Sequence, residues 1–206
     1  MSQLFQIHPD NPQQRLIRGA VDLLRAGGVI VYPTDSCYAL GCHIGDKDAL
    51  EQMRRIRQVD DKHYFTLMCR DMTEMSTYAN VDNVAYRLMR NLAPGPYTFI
   101  LPAMKIVPKR LLHPKRKTVG VRVPDNAIAQ ALLAELGEPI LSTTLLLPGE
   151  EHPISDPYEI REAIGNQVEL VIDGGYCGLE PTTVVDLTGE IPEVVRQGKG
   201  SAEALV

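Results

Sequence analysis

The sequence contains no run of about 18 consecutive apolar residues, the length that a membrane-spanning helix needs. Its first residues, MSQLFQIHPDNPQQ, carry neither a basic leader nor the apolar core of a signal peptide. The four cysteines lack paired CxxC spacing, and the five histidines lack ligand-like spacing. This pattern argues against a zinc-type site and against a disulfide framework. We therefore predict a cytoplasmic protein with no protein-ligated transition metal and no membrane partner.

Several motifs that mark common enzyme classes are also missing. The sequence has no GxGxxG, GxxxxGKS/T, GxSxG or HExxH, and so lacks the signatures of dinucleotide-binding, P-loop, nucleophile-elbow and zincin sites. At 206 residues, with 44% hydrophobic and 23% charged residues, its composition is that of a globular protein. Since no repeat or linker divides it, we predict a single domain over residues 1–198 and a short C-terminal tail over 199–206.

The formal net charge of −5 hides an asymmetry along the chain. Residues 134–206 carry 14 acidic and 3 basic side chains, a net −11, which leaves 12 acidic and 18 basic side chains, a net +6, in the rest. Within residues 105–117, six basic side chains occur without an acidic one. Such a run is either a solvated loop or an electrostatic footprint for phosphates. The candidate RNA-binding residues in it are Lys109, Arg110, Lys115, Arg116 and Lys117.

Apolar periodicity predicts interleaved helices and strands. The stretch QQRLIRGAVDLLRAGG has apolar residues at helical spacing before two glycines, and VIVYP after it is typical of a buried strand. Asp46 and Asp156 are predicted N-caps, the second followed by Pro157 at the first helical position. Further strand patterns are YFTLMC, YTFILPA, TVGVRV, PILSTTLL, VELVIDGG, PTTVVDL and EVVRQG. Because the last three follow one another directly, we predict an α/β fold with a twisted, open, mixed sheet flanked by helices.

Polar residues cluster at the ends of these strands, where ligands of α/β proteins commonly bind. Thr34 lies in PTDSCYALG after the first strand, a stretch that is also typical of a simple turn. Residues 55–62, RIRQVDDK, hold cations suited to phosphate, although a helix C-terminus or a surface ion-pair network also explains them. Arg122 interrupts an apolar strand, so it either reaches solvent or, if buried, needs an anionic partner. The hydroxyls of residues 142–144 and Arg196 complete this set.

The order of these segments carries more information than any one of them. The succession GGVIVYPTDSCYALG, RQVDDK, YFTLM, PGPYTFIL, VGVRVPDN, PILSTT, VIDGG, PTTVVD and VVRQG resembles the YrdC-like family. The resemblance implies a twisted open sheet with a positively charged concave face. It also implies L-threonylcarbamoyl-adenylate synthesis from L-threonine, bicarbonate and ATP, which releases pyrophosphate and supplies the donor for threonylcarbamoyladenosine in tRNA. Affinity for double-stranded RNA or tRNA is a further implication.

The resemblance also implies roles for the first two motifs. Thr34 and Tyr38 match positions of the family's PTxTxYG motif and would contact the substrate. Arg57 matches the arginine of KxRP, with Arg55 at the lysine position, and Lys62 matches the lysine that follows the motif. Arg57 and Lys62 would therefore act on the phosphates of ATP, which enters with Mg²⁺.

The later motifs carry the remaining implied roles. Arg122 matches the arginine of GxRxP and would hold the carboxylate of threonine. Ser142 and Thr143 match the family's hydroxyl pair, and Thr144 stands at the serine of SxN. Arg196 matches an arginine near the end of the domain that contacts the nucleotide.

The chain departs from the family pattern at several of these positions. Ser36 and Ala39 replace a threonine and a glycine of the first motif, and Gln58 replaces the proline of KxRP. Arg55 keeps the charge of a lysine but not its reach or geometry. Leu146 replaces the asparagine of SxN and thereby removes one donor group and one acceptor.

Three functions follow as hypotheses from the resemblance and these departures. The first is a nucleotide- and RNA-binding domain with reduced or altered threonylcarbamoyl-adenylate synthase activity, a nucleotidyl transfer that needs positioning and charge stabilisation of phosphates. The second is an RNA-binding module without catalysis. The third is a nucleotide or metabolite binder unrelated to RNA.

Overall fold

Residues 1–60, 63–113 and 115–205, which this computed structural model describes, contain ten β-strands in one mixed sheet. The strands are β1 (Gln3–Gln6), β2 (Ile30–Tyr32), β3 (Ala39–His43), β4 (Thr66–Met68), β5 (Tyr97–Pro102), β6 (Thr118–Arg122), β7 (Ile140–Thr144), β8 (Leu170–Asp173), β9 (Thr183–Asp186) and β10 (Glu193–Arg196). The helices are α1 (Gln14–Arg25), α2 (Lys47–Arg57), α3 (Met72–Tyr78), α4 (Asn83–Leu92), α5 (Ala127–Leu136) and α6 (Pro157–Ile164), with short 3₁₀ turns at Lys109–Leu111 and Ala202–Leu205.

The strand order is β1-β8-β2-β3-β7-β4-β6-β5-β9-β10. The pairs β1–β8, β2–β8, β4–β6 and β5–β9 are parallel, whereas β2–β3, β3–β7, β4–β7, β5–β6 and β9–β10 are antiparallel. The predicted α/β fold with a mixed sheet flanked by helices is therefore confirmed. No helix in the described part of the chain is long and apolar enough to cross a membrane.

The predicted helix starts follow local chemistry. The Asp46 carboxylate accepts a hydrogen bond of 2.8 Å from the Ala49 backbone N–H at the start of α2, and Asp156 caps α6 in the same way with Pro157 behind it. At its other end, α2 stops at Gln58, whose backbone is left-handed with φ +49° and ψ +45°. The Gln58 N–H returns to the carbonyls of the last turn and satisfies them there.

Strands β1 and β3 are not predicted from sequence. The stretch containing β3 has the composition of a turn, but only residues 33–38 have that character in the structure. From Ala39 the chain is a central strand because it pairs with β2 on one side and β7 on the other. Position 41 of this strand is occupied by glycine because a Cβ there would lie 2.7 Å from the Tyr32 ring and 2.8 Å from Ile140.

Helices cover the two faces of the sheet unequally. Buried residues of α2, α3, α4 and α6 pack on one face, in the larger apolar cluster. On the other face, α1 and α5 cover β1, β8, β2, β3 and β7 with the smaller cluster, which includes Ile17, Leu132 and Tyr32. Beyond this cover, the same face continues over β4, β6, β5 and β9 with short or polar residues such as Thr66, Gly120 and Thr98.

The strand register shows this change of character directly. One row of laterally paired residues crosses the middle of the sheet on that face: Ile30, Gly41, Ser142, Thr66, Gly120 and Ile100. Ile30 lies beneath α1 and α5, whereas Ser142, Thr66 and Gly120 line an open cavity. The uncovered half of the sheet is thus where the fold leaves room for a ligand.

Candidate functional site

A cavity of about 420 Å³ lies over the uncovered half of the sheet, within the range of about 300–1,000 Å³ that is usual for small-molecule sites. Its floor is formed by β4, β5, β6 and β7. Its walls are the loop between β2 and β3, the segment that follows α2, and the residues around β9 and β10. No acidic side chain lines it among the residues that the structure describes.

The fold brings most of the predicted substrate residues to this cavity. Those that line it are Thr34, Arg57, Arg122, Ser142, Thr143, Thr144 and Arg196. Leu146, at the position of the family's asparagine, lines it as well. Lys62, predicted to act on the phosphates, lies outside the described residues.

Arg57 is the last residue of α2 and reaches the cavity from the helix end. Its Nη1 donates a hydrogen bond to the carbonyl oxygen of Leu146. Its Nε is buried and has no hydrogen-bond partner among the described residues. Burial and the nearby Arg196 both lower the pKa of the Arg57 guanidinium. No carboxylate among the described lining residues offsets this charge, so an anion placed here would be stabilised.

Arg196 enters from β10 on the opposite wall. Its Nη2 donates to the carbonyl of Thr182 at 2.9 Å, and its Nε donates to the same oxygen at 3.3 Å. The Thr182 hydroxyl in turn lies 2.8 Å from the hydroxyl of Thr98 on the cavity floor. Partial burial lowers the pKa of the Arg196 guanidinium. Two guanidinium groups from distant parts of the chain therefore share one cavity.

The sequence allowed Arg122 either to reach solvent or to be buried with an anionic partner. In the structure its side chain is buried and has an anionic partner. Its Nη2 pairs with the Asp35 carboxylate, and its Nη1 donates to the Ser36 hydroxyl at 3.2 Å. The two side chains are only 7% and 12% exposed. Lys199 Nζ also donates to the Asp35 backbone carbonyl. The β2–β3 loop, β6 and the C-terminal segment thus meet at this ion pair.

Several of the predicted hydroxyl groups are already engaged inside the protein. The Ser142 hydroxyl accepts from Tyr32 at 2.7 Å and donates to the Leu40 carbonyl at 3.1 Å. The Thr34 hydroxyl donates to the Cys37 carbonyl at 2.7 Å and so closes the turn of the β2–β3 loop. By contrast, Thr144 makes no side-chain hydrogen bond within the described part of the chain. Its hydroxyl remains available to a ligand.

Tyr38 and Arg55, both predicted to bind substrate, do not line the cavity. The Tyr38 side chain is fully buried, donates to the Gly175 carbonyl at 2.6 Å and accepts from the Gly174 N–H at 3.2 Å. It therefore fixes the turn that follows β8. Arg55 is exposed because residues 55 and 57 point in different directions on a helix with 3.6 residues per turn.

The predicted RNA-binding residues are all exposed, on the segment between β5 and β6. Arg110 donates to the Gly45 carbonyl at 2.8 Å, and Arg116 pairs with Asp186 at 3.3 Å. In the same segment, the His113 ring stacks on Tyr64 with 5.2 Å between ring centroids. Because Tyr64 lines the cavity, the basic segment contacts the cavity wall at this residue.

His63 is a cavity residue that the sequence did not reveal, because the histidines have neither ligand-like spacing nor a position in the motifs of the family resemblance. Its Nε2 lies 3.1 Å from the Thr143 hydroxyl oxygen, and its ring packs edge-on against Phe65. Burial lowers the pKa of His63 to about 4, and the positive charge of Arg57 is the second cause. The imidazole is therefore neutral at physiological pH. The sequence did offer one signal for this residue, since it lies between a basic motif and the next predicted strand.

Residues 22–198 match the model of the Sua5, YciO and YrdC proteins, described as "Telomere recombination". The chain belongs to this family. Among other members of the Sua5/YciO/YrdC family, YciO of Escherichia coli (strain K12) is 64% identical over 203 residues, which is 98% of each chain. The threonylcarbamoyl-AMP synthase of Coxiella burnetii (strain RSA 493) is 32% identical over 178 residues, 85% of this chain and 95% of the synthase.

Solved structures of the Sua5/YciO/YrdC family agree with this assignment. The crystal structure of E. coli YciO matches with a TM-score of 0.97 and 63% identity over 100% of both chains. The structure of P. abyssi Sua5 complexed with L-threonine matches with a TM-score of 0.87 and 26% identity, over 96% of this chain and 58% of that one. The YrdC-like family predicted from the order of motifs is thus confirmed, and the chain is more similar in sequence to E. coli YciO than to the C. burnetii synthase or to P. abyssi Sua5.

The Asp35–Arg122 pair generates a stability prediction. Replacing Asp35 with Ala leaves a buried guanidinium without its carboxylate, so we expect a loss of about 3–5 kcal/mol in the free energy of unfolding. Adding Arg122→Leu to that variant removes the stranded charge and should restore part of the loss. Urea unfolding of the two single variants and the double variant measures both effects.

The control for this cycle is the surface pair Arg18–Glu135, with 3.7 Å between nitrogen and oxygen and an Arg18 side chain that is 66% exposed. Arg18→Ala should change the unfolding free energy by no more than about 1 kcal/mol. If the Asp35 variant behaves like the Arg18 variant, or if the double variant loses the full sum of the two single losses, the buried pair does not have this role.

Proposed function

We propose that this domain binds a nucleotide through Arg57 and Arg196 and has threonylcarbamoyl-adenylate synthase activity that is reduced or altered. The observation that carries the proposal is a cavity lined by three arginines, of which Arg57 and Arg196 have no acidic side chain near them among the described lining residues. Guanidinium groups match phosphate oxygens in charge and geometry. The described lining also offers no carboxylate ligand to Mg²⁺, so the ion would be bound by the phosphates of ATP.

The amino-acid end of the reaction would lie over Arg122 and the hydroxyl of Thr144. Arg122 already pairs with Asp35, so a substrate carboxylate would share the guanidinium with that residue or displace it. Support for L-threonine comes from the family, in which P. abyssi Sua5 has been solved with this amino acid. Bicarbonate would be the third substrate, as the family resemblance implies; a threonylcarbamoyl-AMP synthase is among the chain's relatives. A related small acid in place of threonine is the alternative.

Catalysis of this kind depends on position and charge more than on acid–base groups. Arg57 and Arg196 would neutralise the pyrophosphate group as its bond to the adenylate breaks, and Lys62 would add a third cation. The apolar Leu146 side chain stands where family members place an amide, which supports reduced rather than full activity.

The described cysteines are free thiols, which fits a cytoplasmic location.

Arg57 and Arg55 form a matched pair for testing the nucleotide site. Both belong to the last turn of α2 and carry the same charge, but Arg57 lines the cavity and Arg55 is exposed. With ATP, bicarbonate and threonine, Arg57→Ala should lower pyrophosphate release by about 100-fold or more, because it removes a preorganised cation from the leaving group. Arg55→Ala should stay within about threefold of the unmodified protein.

An equal fall in both variants would show that general electrostatics, and not the cavity, is responsible. Release that does not depend on threonine would overturn the assignment of that substrate. A series of amino acids in the same assay then identifies the one that the cavity accepts.

Leu146 provides a test in the direction of gained activity. Leu146→Asn restores a donor and an acceptor worth about 1–3 kcal/mol, so threonine-dependent pyrophosphate release should rise by about one to two orders of magnitude. Leu146→Ala is the control, because it creates space without adding hydrogen bonds. If the alanine variant gains as much as the asparagine variant, the limit on activity is steric, and the missing amide is not its cause.

RNA binding is the second candidate function, either alongside catalysis or in place of it. The observation that favours it is the exposed basic segment, which contacts the cavity wall through the stack of His113 on Tyr64. Double-stranded RNA or tRNA would be bound there mainly through phosphates and shape. Arg110 and Arg116 have internal partners, so their charges are held in place on the surface.

A quadruple variant, in which Lys109, Arg110, Lys115 and Arg116 are all replaced by Ala, tests this surface. Affinity for duplex RNA should fall, and the slope of log affinity against log salt should become shallower by up to about 0.9 for each phosphate that is no longer neutralised. The control removes four exposed arginines elsewhere, Arg15, Arg18, Arg87 and Arg90, with the same change in net charge. Binding that ignores salt, or that weakens equally in both variants, would exclude this surface as the RNA site.

A further inference from the structure

His63 occupies a fixed position in the wall of the cavity. Its ring is held by the 3.1 Å contact of Nε2 with the Thr143 hydroxyl and by an edge-on contact with Phe65, with 5.1 Å between centroids and 82° between planes. It lines the cavity together with Arg57 and Arg196. The imidazole is therefore a constant part of the site from which the two guanidinium groups would bind phosphates.

The surroundings of this ring are mainly cationic. The charged groups that face it from the described elements are Arg54 and Arg57 on α2, Asp60 after that helix, and Arg196 on β10. Burial is the largest influence that keeps the imidazole neutral, and Arg57 is the next. Asp60 acts in the opposite direction and does not outweigh them. A neutral imidazole beside cations is the arrangement expected before an anion arrives.

A bound polyphosphate changes this balance. Its negative charge lies between the two guanidinium groups and offsets the repulsion that opposes protonation of the imidazole. Protonated His63 then adds a further cation and a further donor to the same anion. Binding of the anion and binding of the proton consequently favour each other, as linkage requires.

We propose that Arg57, Arg196 and His63 form a proton-coupled polyphosphate subsite, in which His63 takes up a proton from solvent when a pyrophosphate or triphosphate group binds. The proposal rests on the proposed function, which puts the phosphates at the two arginines. Its consequence is that pyrophosphate is held more tightly as the pH falls, so that release of this product is slower in acid. No covalent step is involved, and the proton is the only species exchanged.

The sign and size of the effect follow from linkage. The free subsite has a pKa for His63 of about 4, lowered first by burial and then by Arg57. A bound anion relieves the repulsion but not the burial, so the ordinary value of about 6.5 is an upper bound for the pKa of His63 in the complex. Anion affinity attributable to His63 is then unchanged above pH ~8, and rises by at most about fourfold at pH ~6 and about tenfold at pH ~5.5. At most about 0.75 proton is taken up per bound anion at pH ~6.

Titration calorimetry with pyrophosphate, on the unmodified protein and on His63→Gln, tests the proposal. Glutamine supplies an amide nitrogen in place of Nε2 and does not titrate. Because both proteins meet the same ligand at each pH, protonation of pyrophosphate itself cancels in the ratio of affinities. Titrations in two buffers with different ionisation enthalpies count the protons. We expect the ratio to rise from pH ~8 to pH ~6, by at most about fourfold, with the extra proton uptake confined to the unmodified protein.

Sulfate, which does not titrate between about pH 5.5 and 8, is the second probe and needs no variant. Protons taken up when sulfate binds to the unmodified protein are then taken up by the protein and not by the ligand, so this test does not require His63→Gln to fold. Pyrophosphate binding with a flat affinity ratio and no extra proton would overturn the role of His63 while leaving the proposed nucleotide site intact. Failure of both anions to bind at any pH would instead remove the nucleotide site, and with it the proposed function.

Discussion

The buried ion pair between Asp35 and Arg122 is the contact on which the site's geometry depends. It joins a loop that leaves β2, a strand in the other half of the sheet and, through Lys199, the segment that follows β10. These parts are far apart in sequence, and the first two line the cavity, as wall and as floor. Buried ion pairs add little net stability compared with apolar packing. This pair fixes the position of the β2–β3 loop against β6, and so the position of one wall against the floor.

The rest of the cavity is a region of unbalanced charge. Arg57 and Arg196 come from a helix end and from an outer strand, and their positive charges oppose one another across the space between them. The fold tolerates this because helix α2 and the β9–β10 pair are anchored by apolar packing and strand pairing elsewhere. Such a site is electrostatically incomplete by itself, which is the usual state of a pocket made to receive an anion.

Local sequence signals predicted most of the fold. Helix caps such as Asp46, apolar periodicity and the direct succession of the last strands were enough to give a mixed α/β sheet. They failed at β3, whose strand character comes from neighbours on both sides and not from its own composition. In the site, motif order singled out Arg57, Arg122 and Arg196, which the fold brings to the cavity. It also singled out Tyr38, which lies outside the cavity and forms hydrogen bonds to the turn after β8. A motif does not distinguish a residue that faces a cavity from one that holds a turn.

The left-handed residue at the end of α2 limits which residue can follow Arg57. Gln58 has φ +49°, a value closed to proline, whose ring holds φ near about −65°. Placing the proline of the KxRP motif at position 58 would therefore require α2 to end differently, not merely a change of one side chain. In this chain, the backbone that presents Arg57 to the cavity and a proline after it are incompatible.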